Sequence, residues 1–209
     1  MSAAYDHYPS EQPATTPGTV TWRRDPLPVT GPYPPLFAVM GAHGFAGTTT
    51  LAQMWAPAAD TGTSWPAHRA TTQLVIVAAR ATIAGIRAAA HVLRAAERGD
   101  IPDGVQVCGL VVVAARPGNC PKEITRYAST VSELVPHRYN VNWCEPLMCA
   151  PEPQRLPVWT PPRPDELPPP KKAQFPDVVP KQIAAVGQQI CTDLLNDHKP
   201  SHTGSGVRP

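Results

Sequence analysis

What this sequence has least of is charge and aromatic surface. Charged residues fill 16% of its 209 positions and aromatics 6%, and the formal charge is only +2. Its lysines and arginines are scattered, with no basic stripe, so neither a nucleic-acid backbone nor an anionic membrane surface is an expected partner. No stretch approaches the roughly eighteen uninterrupted apolar residues of a membrane-spanning helix. The opening MSAAYDHYPSEQPATTPG has neither the basic start nor the apolar run of an export signal, so a cytoplasmic location is expected. Cysteines paired at metal-binding spacing are also missing. Cys108, Cys120, Cys144, Cys149 and Cys191 are odd in number and include no C-x-x-C, which suits reduced thiols. Their irregular spacing around His137 makes zinc the lesser reading.

Proline, by contrast, is abundant and unevenly placed. The 28 prolines crowd residues 9–35 and 146–180 and leave the apolar runs between them. Residues 1–34 show no period of 2 or 3.6 and are expected to be a disordered tail. Residues 35–148 are expected to form one α/β domain. At roughly 110 residues, such a domain buries about two-thirds of its unfolded surface and needs no disulfide or metal. Residues 149–179 read as a proline-rich linker of polyproline geometry. Residues 180–196 read as a helix that docks on the domain through Ile183, Val186, Ile190 and Leu194, and 197–209 as a second disordered tail.

Within the domain, the apolar runs Leu36–Met40, Leu74–Ala79 and Val105–Val113 have no polar face, as expected of buried parallel strands. A fourth strand is expected over His137–Trp143. Helices are expected from about Thr48, over Ala81–Arg98 with Gly99 ending it, and from about Lys122 with Ile124, Tyr127, Ala128, Val131, Leu134 and Val135 facing inward. Strands alternating with helices at this spacing call for right-handed crossovers and a small parallel sheet flanked by helices. Ligands of such sheets sit at the carboxyl ends of the strands.

The loop after the first long strand is therefore the expected site. Gly41-Ala42-His43-Gly44-Phe45-Ala46-Gly47-Thr48-Thr49-Thr50 approximates G-x-x-x-x-G-K-[ST], the loop whose amides, lysine and hydroxyl hold phosphates and Mg²⁺. Gly47 and Thr49 meet the pattern, Ala42 replaces its first glycine, and Thr48 stands where the lysine belongs. The candidate phosphate-binding residues are His43, Gly44, Phe45, Ala46, Gly47, Thr48, Thr49 and Thr50. Arg80, directly after the second long strand, is a candidate replacement for the missing cation, and His43 a proton-dependent one. Trp143 reads as packing; Trp159, beside prolines, reads equally as packing or as a recognition element.

Residues 43–50, His-Gly-Phe-Ala-Gly-Thr-Thr-Thr, resemble the deviant phosphate loop Lys-Gly-Gly-x-Gly-Lys-Thr-Thr of ParA- and MinD-like ATPases, with both lysines replaced. The resemblance extends to Leu74–Arg94, to Val107–Gly118 and to Asn142-Trp143-Cys144-Glu145-Pro146. In its Gly-Ala-His-Gly-x-Ala-Gly-x-Thr-Thr loop the chain is similar to shortened ParA-like proteins of high-GC bacteria, often encoded near conjugation or plasmid genes. The resemblance implies a truncated P-loop NTPase-like fold, with ATP or ADP and Mg²⁺ as the cofactor set if any is bound and Thr49 as the protein ligand to the metal. An unidentified protein partner is expected, and a homodimer is left open. Between Trp55 and Leu74 there is no room for the two strands that carry that family's switch aspartates; Asp60 is the only acid there.

Phosphoryl transfer needs compensating charge at the phosphates. Lacking the lysine, the chain is expected to bind nucleotide or anion, or a partner, without turnover, as a module of a mobile-element, conjugation or partition system. The alternative is an unusual ATPase that takes its cation from Arg80 or from a second subunit. A DNA-binding partition factor is the least supported reading.

Overall fold

A computed structural model describes residues 21–29, 33–150, 152–162 and 174–198. The expected tails at 1–20, 30–32 and 199–209, and much of the expected linker, lie outside the described residues. The described chain runs β1 (Thr21–Arg23), β2 (Phe37–Gly41), α1 (Thr48–Met54), β3 (Ala58–Asp60), β4 (Ser64–Pro66), β5 (Leu74–Arg80), α2 (Ile83–Glu97), β6 (Gln106–Val113), α3 (Lys122–Ser132), β7 (His137–Val141) and α4 (Lys181–Asp197), with short 3₁₀ turns at Glu145–Cys149 and Pro153–Arg155. Five strands form one parallel sheet in the order β3-β2-β5-β6-β7, and β1 pairs with β4 in a separate two-stranded sheet. The fold is thus α/β with a parallel sheet flanked by helices.

The apolar runs are continuous because each strand faces apolar layers on both sides. Along β2, Phe37 and Val39 enter one cluster while Ala38 and Met40 enter the other. The same alternation splits Ile76 and Ala78 from Val75, Val77 and Ala79 on β5. One face is covered by α2 and α3 through Ile86, Ala90, Leu93, Ala128 and Val131. Ile83, the first residue of α2, has the apolar spacing of that face but is 49% exposed. Thr82 caps this helix by accepting from Gly85 N at 3.0 Å.

The opposite face is covered by α1 and by α4, which returns from the C-terminal side of the chain. Ile183, Ile190 and Leu194 are at most 1% exposed, and burying each stabilises by about 1.5–3 kcal/mol. Trp55, fully buried just after α1, locks the junction: its Nε1 donates to Ile183 O at 2.9 Å. Gly187 makes that approach possible, since a Cβ there would lie 2.7 Å from the Trp55 ring and 3.0 Å from Trp159 Cζ3. Trp159 is in turn held by backbone, its N–H donating to Met54 O and its carbonyl accepting from Ala56 N. It is a packing residue.

Two segments differ from expectation. Thr21–Arg23, inside the stretch read as a disordered tail, forms β1, and Leu27 is buried behind it. Between Trp55 and Leu74, where no strands were expected, β3 and β4 fit because each is only three residues long. Alanine pairs and a Ser-Trp-Pro triplet carry no readable period at that length.

Burial also tunes ionisable groups beneath α4. The Tyr139 hydroxyl donates to Asp193 Oδ2 at 3.0 Å, and desolvation, then that carboxylate, holds its proton well above the usual phenol range. Burial pushes the Cys191 thiol from 9.0 up to about 11.

Two outcomes follow from α4. Helix propensity alone would make Gly187→Ala stabilising by about 1 kcal/mol. Overpacking against Trp55 should instead make it destabilising by about 1–3 kcal/mol in urea unfolding. For pH, Cys191 and Tyr139 bind their protons more tightly in the folded than in the unfolded chain. The stability this contributes is complete below pH 9.0, the unfolded thiol value, and is lost as pH rises through about 11. The urea midpoint should fall over that window, and Tyr139→Phe should flatten the fall.

Candidate functional site

The loop joining β2 to α1 lies at the carboxyl end of the sheet. Its entry is fixed by Gly41 N–H, which donates to Gly62 O at 2.7 Å, and by Ala42 N–H, which donates to Ala78 O at 2.9 Å. Ala46 is buried and anchors the turn, whereas Phe45, at φ 62°, projects fully into solvent. Gly47, at φ 96°, precedes α1, and no side chain caps that helix although threonines follow it. Among the described residues, the amides of Gly47 to Thr50 donate to no acceptor outside α1. Such a run of N–H groups is a source of positive potential for an anion.

His43 does something other than supply charge. Its Nε2 accepts from the Arg80 backbone N–H at 3.2 Å, and its Nδ1 lies 2.7 Å from Gly44 O. A backbone amide can only donate and a carbonyl can only accept, so the ring is the neutral Nδ1–H tautomer. The ring fits against α2 because residue 85 is glycine: a Cβ there would lie 2.9 Å from Nε2 and still closer to Arg80 O.

Thr49 and Asp60 form a pair that sequence reasoning misses. Thr49 Oγ1 donates to Asp60 Oδ2 at 2.6 Å, and Asp60 Oδ1 accepts from Gly62 N at 2.8 Å. Register places the acid there, since β3 runs beside β2 with Val39 opposite Asp60. The sequence signal is only an acid after two alanines, which nothing distinguishes from a loop aspartate. One hydroxyl and one carboxylate oxygen this close are the donor types Mg²⁺ takes from protein when a ligand's oxygens and water complete its shell. The residues present therefore fit Mg²⁺.

Arg80 stands at the end of β5, and among the described residues its guanidinium makes no hydrogen bond or ion pair. It lines a cleft of about 250 Å³ that continues from Gly47 and Thr50 across the ends of β5, β6 and β7. Asn142, Trp143, Met148 and Glu152 also line it. Trp143, expected only to pack, faces this space. Of the expected residues, Gly47, Thr50 and Arg80 meet at the cleft, Thr49 turns to Asp60, and His43 ties the loop to β5. Gly44 is exposed, and Thr48 supplies no cation. The arrangement suits a ligand with an anionic end at the loop and an apolar body in the cleft.

The cysteines are all free. Cys108 and Cys191 are buried, Cys120 and Cys149 exposed, and Cys144 half-buried at the cleft. Among the described residues no three His, Cys, Asp or Glu side chains group to hold a metal. A small thiol reagent at about pH 8 should label Cys120 and Cys149 first and Cys144 more slowly. Cys108 and Cys191 should react only after denaturation, with peptide mass mapping as the readout.

No curated protein and no solved structure matches this chain. A family model does match, over residues 36–156, which span β2 through the second 3₁₀ turn and so include the loop, Asp60, Arg80 and most of the cleft. Since that match covers more than half of the sequence, the chain belongs to the family of unknown function DUF6668.

Proposed function

We propose that this protein binds a phosphorylated small molecule, with a nucleotide as the leading candidate, and does not hydrolyse it. One observation carries the reading: Gly47 and Thr50 of the glycine-rich loop line the same apolar cleft as Arg80, whose guanidinium has no partner among the described residues. Phosphate would lie along the amides, with Arg80 as a binding contact from the end of β5. An aromatic base would enter beside Trp143, whose ring offers a stacking or edge contact. With Mg²⁺, Thr49 and Asp60 would be the protein ligands, and the metal would neutralise the phosphates.

Binding without turnover follows from charge. A threonine in the lysine position leaves the transferring phosphoryl group short of one fixed cation, a loss of several kcal/mol in the transition state, on the order of 10²–10³ in rate. A binding site of this kind serves as a ligand-gated module for a protein partner, and the resemblance of its loop to ParA- and MinD-like proteins points to partition or conjugation systems. Among the described residues no helix is long and apolar enough to cross a membrane.

A second reading is favoured by Thr49 and Asp60, which restore the hydroxyl and acid that metal-assisted hydrolysis requires. In it the protein is an unusual ATPase whose cation is Arg80 or comes from a second subunit.

Titration calorimetry with ADP and ATP, with and without Mg²⁺, tests both. Nucleotide should bind, Arg80→Ala should weaken it by about tenfold or more, and phosphate release should stay at background. Turnover that disappears in Thr49→Ala or Arg80→Ala would establish the ATPase instead. Absence of binding to either nucleotide would remove the nucleotide proposal.

A further inference from the structure

We infer that His43 is a positioning residue, a latch whose ring holds the anion loop to β5. Its purpose rests on the phosphate-binding reading above; the latch itself rests on geometry. One ring bridges two elements whose relative placement defines the site. Nδ1–H donates to Gly44 O in the loop at 2.7 Å, and Nε2 accepts from Arg80 N–H at 3.2 Å, at the end of the strand that carries the guanidinium. The loop and the end of β5, where Arg80 stands, are thereby tied together. Gly85 keeps the space for the ring, since a Cβ there would sit 2.9 Å from Nε2.

The Nε2 lone pair accepts from the Arg80 amide, so the latch requires at position 43 an acceptor that reaches β5. Gly85 leaves the room for it on the α2 side. A histidine that served as a phosphate cation could not be replaced by a neutral acceptor.

The full-length protein, His43→Gln and His43→Ala are titrated with a fluorescent ADP analogue. In parallel, Arg80 amide hydrogen exchange is followed by NMR, relative to its unstructured rate and to Val77 in the same strand. Glutamine can accept from Arg80 N–H, so His43→Gln should bind within about twofold of the parent, and His43→Ala about tenfold more weakly. Arg80 protection should fall selectively in His43→Ala, with Val77 unchanged as proof that the strand is intact. His43→Gln binding as weakly as His43→Ala, or Arg80 protection equal in all three proteins, would overturn the latch. If the ADP analogue binds none of the three proteins, the nucleotide reading fails and Arg80 protection alone decides the latch.

Discussion

A parallel sheet without a polar face must be covered twice, and that requirement organises this molecule. The family-matched segment covers one face with α2 and α3, but on the other it supplies only the seven-residue α1. The rest of that face is closed by α4, which enters from beyond a proline-rich stretch and is fastened by the buried Trp55 indole to Ile183 O. The ledge that carries the candidate site is thus set by a residue directly after α1. Position and stability of the site share one contact.

Much of this architecture is legible in the residues themselves. The runs around Phe37, Val75 and Val111 have the continuous apolar character of strands buried on both faces, and the stripe Ile183–Leu194 has the spacing of a docked helix. The same reasoning is blind wherever elements shrink to three residues. Ala58-Ala59-Asp60 has no period to detect, so β3 escapes a reading by pattern, and with it the placement of Asp60 beside Thr49. β1 is hidden likewise, because a strand that borrows its partner from residues 64–66 needs no apolar pattern of its own.

The site divides in the same way. The glycine-rich loop is visible because strand, glycines and helix follow one another along the chain. The partners of His43 are not, since they are backbone groups, and the Arg80 amide lies 37 positions away. Side-chain chemistry suggests a cation; a lone pair facing an amide makes it a fastener. Gly85, which looks like a simple weakness in α2, becomes intelligible only once that ring is in place.

Because α4 lies outside residues 36–156, a fragment trimmed to the family boundaries would keep the loop, Asp60 and Arg80 yet uncover Trp55 and Tyr139, which α4 engages through Ile183 and Asp193. Contiguous apolar surface of that kind drives self-association. Family members that lack an equivalent of α4 must find another lid for this side of the sheet, so the region after the shared segment is where their architectures should diverge.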